Sequence, residues 1–419
     1  MWQSVTDAEL AAECWSAIGE IESCLVAHLE SNESRDPLLA SGDSGLALFF
    51  AYLSAARPDS PAGDRALEAL SRSLDGLAAM QLLPALLIGY SGIGWVVEHL
   101  TRDFFEGDDD LATPIDDALE TLLHDVNDAP PYELVGGLVG IGTYLIERLP
   151  HPRAARTLTR ILDLLEMRAE HSRDGITWFT PAEWLANWQR EQMPHGCYNL
   201  GVAHGVPGII GFLAAAKQEG FDDARIETLA AGAVRWLRAQ RIEADQSSLY
   251  GAWLVPGKPL ETTRTAWCYG DIGVAAVLLR AARAFDRKDW EDEALSVARA
   301  AATRPAERTL AIDPGLCHGA VGNAHLFNRF YQATREPLMK EAALEWYRRA
   351  LAMRRPGEGL AGLLTWINPV GREGFWKGEY GFLSGISGFA LAMLAAVTDV
   401  EPKWDRVMLV AVPPKELAA

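Results

Sequence analysis

The chain has 419 residues, 49% hydrophobic and 23% charged, with mean hydropathy near zero, a composition that can bury a large core and excludes disordered, collagen-like and mucin-like chains. Its 38 Lys and Arg against 57 Asp and Glu give a net charge of −19, a field that repels phosphate backbones and anionic lipid surfaces, so no nucleic-acid partner is expected. No stretch approaches the roughly 18 apolar residues of a transmembrane helix, the start MWQSVTDAEL lacks a basic then apolar leader, and five scattered cysteines do not make a disulfide framework, so the reading is cytoplasmic.

In chain order, amphipathic segments rich in Ala, Leu, Arg and Glu alternate with more apolar ones. AELAAECWSAIGEIESCLVAHLE is followed by Gly42 and Gly45 opening LALFFAYL, then RALEALSRSLDGLAAM, then Gly89 and Gly92 before IGWVVEHL. Gly137 and Gly140 precede IGTYLIERL, RAARTLTRILDLLEMRAE follows, and Gly205 and Gly208 precede IIGFLAAA. ARIETLAAGAVRWLRAQ leads to Gly270 and Gly273 before VAAVLLRAA, EDEALSVARAAAT to Gly319 and Gly322 before NAHLFNRF, and EAALEWYRRALAMRR to Gly385 and Gly388 before FALAMLAA. The first glycines are 47, 48, 68, 65, 49 and 66 residues apart, room for a helical pair with an occasional excursion.

One such glycine pair is weak evidence; seven in sequence predict an all-α array of helix pairs. The expected fold is an α/α toroid of seven inner and seven outer helices forming a single domain over 1–419, with the repeats at about 41–395. Periodicity alone fits an open solenoid equally; the small odd repeat number and the lack of a polar capping pair favour closure. The loops before the fourth, fifth and seventh glycine pairs are long and rich in Trp, Tyr, Pro and Gly, which predicts a site on that face. No strands are assigned in them.

The first glycine of each pair serves as a ruler. Immediately before it stand His204, Tyr269 and His318 in repeats four to six, and one position earlier stand Cys268 and Cys317. A lone cysteine beside an apolar helix is most often a small buried hydrophobe, and Cys14, Cys24 and Cys197 are read so. Cys268, Cys317 and His318 share a register, which predicts a zinc site with three protein ligands and an open fourth position. Two thiolates offset the Zn²⁺ charge, which suits activation of an incoming thiol better than carbonyl hydrolysis. His204 is a candidate acid or base, against a structural histidine at even weight; Glu133 and Arg264 are weaker candidates, since charges near helix starts are more often caps or ion pairs.

These residues resemble the lanthionine synthetase C-like family, the lanthipeptide cyclases. The resemblance is carried by Ser91–Gly94 (SGIG), Tyr198–Ile209 (YNLGVAHGVPGI), Trp267–Asp271 (WCYGD), Cys317–Gly319 (CHG) and Ser384–Gly388 (SGISG), and runs from about Ser41 to Ala390. It implies the toroid and one zinc held by Cys268, Cys317 and His318. It further implies addition of cysteine thiols in a dehydrated precursor peptide to dehydroalanine or dehydrobutyrine, forming lanthionine or methyllanthionine thioether rings. His204 matches the family's proposed acid or base, and Arg264 and Tyr269 match further active-site positions. The family has aspartate where this chain has Glu133, one methylene longer, so reach and angle differ. The implied partners are the precursor peptide, a dehydratase and a transporter.

The alternative keeps the zinc without cyclisation: a glutathione-binding or thiol-adduct protein, or a scaffold. Prenyltransferase and glycoside hydrolase readings of the toroid rank low. The first family uses a carboxylate, a cysteine and a histidine, and the second needs two carboxylates facing one cavity, where the register offers Glu133 and Asp271.

Overall fold

The computed structural model describes residues 1–31, 36–105, 110–243, 247–368 and 373–415. In chain order the helices are α1 (Ala8–Glu30), α2 (Asp43–Ala56), α3 (Ala62–Ala79), α4 (Tyr90–Asp103), α5 (Thr113–Leu122), α6 (Leu138–Glu147), α7 (Pro152–Met167), α8 (Asn187–Gln192), α9 (Val206–Gln218), α10 (Arg225–Ala239), α11 (Asp271–Ala284), α12 (Lys288–Ala302), α13 (Ala320–Thr334), α14 (Pro337–Ala352) and α15 (Ile386–Val397). The inner helices are α2, α4, α6, α9, α11, α13 and α15, and each packs on the next. The ring closes where α15 packs on α2, and the first outer helix, α1, packs on the last inner one, α15. The fold is the α/α toroid; the open-solenoid alternative is excluded.

Burial explains the two sequence textures. Every residue of α15 from Ile386 to Ala396 is buried, so this inner helix carries no polar stripe. Outer helix α7 instead buries Leu158, Ile161, Leu162 and Leu165 on one face and leaves Arg156, Arg160 and Glu166 outside that set. The outer helix α5, ten residues long, is the one the amphipathic pattern did not single out.

All seven inner helices have the first glycine of their pair as N-cap. The preceding segment folds back across the first helical turn. A Cβ on Gly270 would collide with the Arg264 carbonyl, and one on Gly273 with the Trp267 carbonyl, so the spacing records close backbone approach. Gly270 also has φ 151°, a conformation that L side chains rarely adopt.

These folded-back segments are joined by a closed belt of backbone hydrogen bonds. The N–H of Ala40 donates to Leu87 O (3.0 Å), Leu87 to Val135 O (3.1 Å), Leu134 to Ala203 O (3.2 Å) and Ala203 to Cys268 O (3.4 Å). Cys268 donates to Cys317 O (3.3 Å), Cys317 to Leu383 O (2.8 Å), and Leu383 back to Ala40 O (3.0 Å). Each acceptor stands two residues before an inner-helix glycine. The one departure is the third repeat, where Leu134 donates because Val135 N–H is bound by the Glu133 carboxylate (3.0 Å).

Three small antiparallel sheets lie in the long loops, structure that the sequence did not assign: β1 (Glu170–Ser172) with β2 (Gly175–Thr177); β3 (Phe179–Thr180), β4 (Cys197–Asn199) and β5 (Trp253–Leu254) in that spatial order; and β6 (Thr365–Ile367) with β7 (Phe375–Lys377). Part of the last loop, 369–372, lies outside the described residues. At the opposite end of the ring the segment Lys403–Met408 plugs the axis, its Trp404 and Asp405 fully buried. Asp405 accepts from Arg329 Nε (2.6 Å) and lies 2.7 Å from His325 Nε2. Gln332 on α13 touches both extremities: its Nε2 donates to Gln3 O (2.7 Å), and its carbonyl accepts from Lys415 N–H (2.9 Å). Among the described residues no helix is long and apolar enough to cross a membrane.

Candidate metal centre and active site

The folded-back segments bring the register residues to one end of the ring. The thiols of Cys268 and Cys317 and a ring nitrogen of His318 lie within 4.8 Å of one another. They stand on neighbouring links of the belt, Cys268 N–H donating to Cys317 O, so the backbone sets the separation of the two sulfurs. His318 Nε2 lies 3.1 Å from Asp313 Oδ2, which leaves Nδ1 as the ring nitrogen able to act as a ligand. A carboxylate behind a ligating imidazole fixes its tautomer and orientation. Asp313 Oδ2 is buried and has no other hydrogen-bond partner, so its orientation toward His318 is the contact that compensates it.

The electrostatics favour a thiolate. The neighbouring Cys317 thiol, with His318 and Arg264, holds Cys268 well below the usual thiol range against its burial. The neighbouring Cys268 sulfur, together with burial, pushes Cys317 well up. Burial opposes the His318 cation, but Asp313 and the Cys268 thiolate outweigh it and push its pKa up to about 10. Two sulfurs and one imidazole in this spacing fit a single tetrahedral ion of the zinc type, with protons displaced on binding.

The centre opens onto a cavity of about 540 Å³ that His204, Tyr269, His318, Arg264, Glu133 and Cys268 all line. His204 Nδ1 and Glu133 Oε2 are 2.5 Å apart. Glu133 in turn accepts from Val135 N–H (3.0 Å) and Gly136 N–H (2.6 Å), so its carboxylate is pinned by the backbone. Burial works against the His204 cation, but Glu133 and then Cys268 outweigh it and raise its pKa. The Tyr269 hydroxyl accepts from Asn199 Nδ2 (3.1 Å), and its ring stacks loosely on His204, centroids 6.2 Å apart. Arg264 is exposed and makes no hydrogen bond or ion pair with a described residue, so its guanidinium is free for a ligand. Trp184, Trp188, Trp253 and Ile88 form apolar walls.

The cavity thus gathers His204, Glu133, Arg264, Tyr269, Cys268 and His318, with the Cys317 thiol beside the last two. Asp271 is not among them: it is fully buried, accepts from Leu249 and Tyr250 N–H, and pairs with Arg304 at 2.5 Å. The paired-carboxylate arrangement of a glycoside hydrolase is therefore absent among the described residues of this cavity. Asn199 and Asp313 went unnoticed in the sequence, yet both stand six residues before an inner-helix glycine, as Arg264 does. The same ruler read at that offset finds them.

A model of the family described as lanthionine synthetase C-like protein matches residues 33–409. A Danio rerio protein named glutathione S-transferase LANCL1 is 26% identical over 333 residues, 77% of this chain and 76% of the relative. The nisin biosynthesis protein NisC of Lactococcus lactis subsp. lactis is 25% identical over 211 residues, 48% of this chain and 49% of the relative. Among solved structures, nisin cyclase superposes with a TM-score of 0.75 at 20% identity, covering 94% of this chain and 96% of that one.

Proposed function

Because the chain belongs to the lanthionine synthetase C-like family, we propose that it is a zinc-dependent lanthipeptide cyclase, adding cysteine thiols of a dehydrated precursor peptide to dehydroalanine or dehydrobutyrine. The observation that carries this reading is the convergence of Cys268, Cys317 and His318 beside a cavity that also holds the Glu133-backed His204.

Cys268, Cys317 and His318 would hold the zinc, which when bound supplies a Lewis acid that lowers the pKa of a substrate thiol from about 8.5. His204 manages the proton: it accepts it from the thiol or delivers it to the α-carbon, while Glu133 holds its ring in place. Arg264, which makes no hydrogen bond or ion pair with a described residue, faces the negative charge that develops on the acceptor's carbonyl oxygen as sulfur attacks. Tyr269, fixed by Asn199, positions the substrate against His204. The balance is simple: one carbon–sulfur bond forms at the β-carbon, the alkene becomes a single bond, and the thiol proton ends on the α-carbon. No redox partner is required. A dehydratase would supply the alkene, and a transporter would take the product onward.

A second reading, supported by the LANCL1 relative, is that glutathione is the thiol. The three-ligand centre does not choose between thiols; the acceptor and the cavity walls do. The test is elemental analysis with paired variants. About one zinc per chain is expected in the native and His204→Ala proteins and none in Cys317→Ala, with thioether formation lost in both variants. Full cyclisation by zinc-free protein would overturn the reading.

A further inference from the structure

Beside the cavity of about 540 Å³ lies a second one of about 290 Å³, and Trp253, Arg264 and Tyr269 line both. The two are neighbouring chambers with one shared wall. Ala252, Trp253 and Val255 on and beside β5 form a side of the second chamber, and β5 is the last strand of its sheet, so one of its edges carries no strand among the described residues. An extended peptide pairs readily with such an edge, with little demand on its sequence.

The rim is marked by Leu310. The residue is 59% exposed and its backbone sits at φ 55°, the left-handed region that leucine avoids. Glycine or asparagine would relieve the backbone and remove an exposed apolar group. A residue that is both strained and exposed at a cavity mouth points to a ligand contact.

The cavity beside the metal centre has the size of a site for a drug-sized ligand. A peptide whose cysteine attacks an alkene in the same chain is bound as a loop, and a loop has two flanks that must leave. Resting on the cyclase reading, we propose that the second chamber receives one flank of the peptide substrate in extended form, with Leu310 as its apolar contact and Arg264, Tyr269 and Trp253 dividing flank from ring.

The test uses zinc-loaded protein and two thiols: N-acetylcysteine amide, and a fluorescein-labelled peptide of about ten residues, Leu and Ser alternating around one cysteine, which extends at roughly 3.3 Å per residue. Anisotropy should show the peptide bound about tenfold or more tightly than the amide competes. Leu310→Gly, which removes the contact and relaxes the backbone, and Thr262→Trp, which fills the chamber, should each remove that advantage. Both should keep native zinc content, and Leu310→Gly should melt no lower than the native protein, an outcome a merely structural leucine would not give. Unchanged peptide affinity in both variants overturns the proposal. So does a Leu310→Gly protein that binds peptide normally but splits a native dimer, since the occupant would then be a second copy. The cyclase reading fails separately, if the native protein does not add N-acetylcysteine amide to N-acetyldehydroalanine methyl ester; anisotropy still decides the chamber.

Discussion

His204 Nδ1 lies 2.5 Å from Glu133 Oε2, across a gap of 71 residues in sequence. Glu133 is the one titratable side chain at its offset from the repeat glycines, and it takes the N–H that Val135 would otherwise give to the belt. The irregular link of the belt and the ion pair are thus one feature.

Replacing Glu133 with Gln should lower the His204 pKa. Glu133 raises that pKa above its ordinary value near 6.5, so the imidazolium persists to higher pH in the native protein. The stabilisation from the pair is fully present below about pH 6.5 and is lost as pH rises through the raised value. An NMR titration of the His204 ring should show the midpoint falling. An unmoved midpoint would mean that the pair does not set it.

Glu133→Asp should leave the fold intact and slow the chemistry. One methylene less withdraws the carboxylate from His204, and misplacement of about 1 Å can cost on the order of a hundredfold. Rates should drop about tenfold or more with the melting temperature within a few degrees of native. An equal rate would show that reach at this position is not used.

Chelation should destabilise the native protein and not Cys317→Ala. A ligand at about a thousand times its Kd adds about 4 kcal/mol to the folded state, so calorimetry with and without chelator should show a clear fall in Tm for the native chain alone. Equal falls in both would place the responsible ion elsewhere.

Two glycine substitutions should act in opposite directions. Gly19→Ala, within α1 and with nothing within 4 Å of the added methyl, should stabilise by about 0.5–1 kcal/mol. Gly388→Ala drives a methyl into the Phe382 carbonyl beside the belt and should cost about 3 kcal/mol or more. Urea unfolding of both compares them directly.

Asp405→Ala should be severe although it lies at the far end of the ring from the cavity. It leaves Arg329, 1% exposed, without its main partner, which costs about 3–5 kcal/mol. Burial would raise the Asp405 pKa, but Arg329 and His325 overcome it and lower it. Its contribution is therefore present above the unfolded carboxylate value and is lost as pH falls through the depressed one, so acid unfolding should begin at higher pH in the variant.

The sequence made the inner helices legible because each begins with two glycines forced by the same backbone approach, as at Gly270 and Gly273. The same regularity made Cys268, Cys317 and His318 readable as one group, since the belt holds equal offsets at equal depth. Periodicity alone did not separate ring from arc, because the closing contacts, α15 packed on α2 and Leu383 N–H donating to Ala40 O, repeat what every other link of the ring does. The strands were hidden by their length: β3 and β5 have two residues each, too few for alternation to register. Asn199 and Asp313 escaped because polar residues before a helix ordinarily read as turns.

The positions of Gln3 and Lys415 carry one more consequence. Both are hydrogen bonded to Gln332, so the first and last described stretches lie side by side on α13. In an open array the outermost units have a single neighbour and unravel first. Here each unit is flanked on both sides, and the order in which the ribosome delivers them is immaterial to the finished circle.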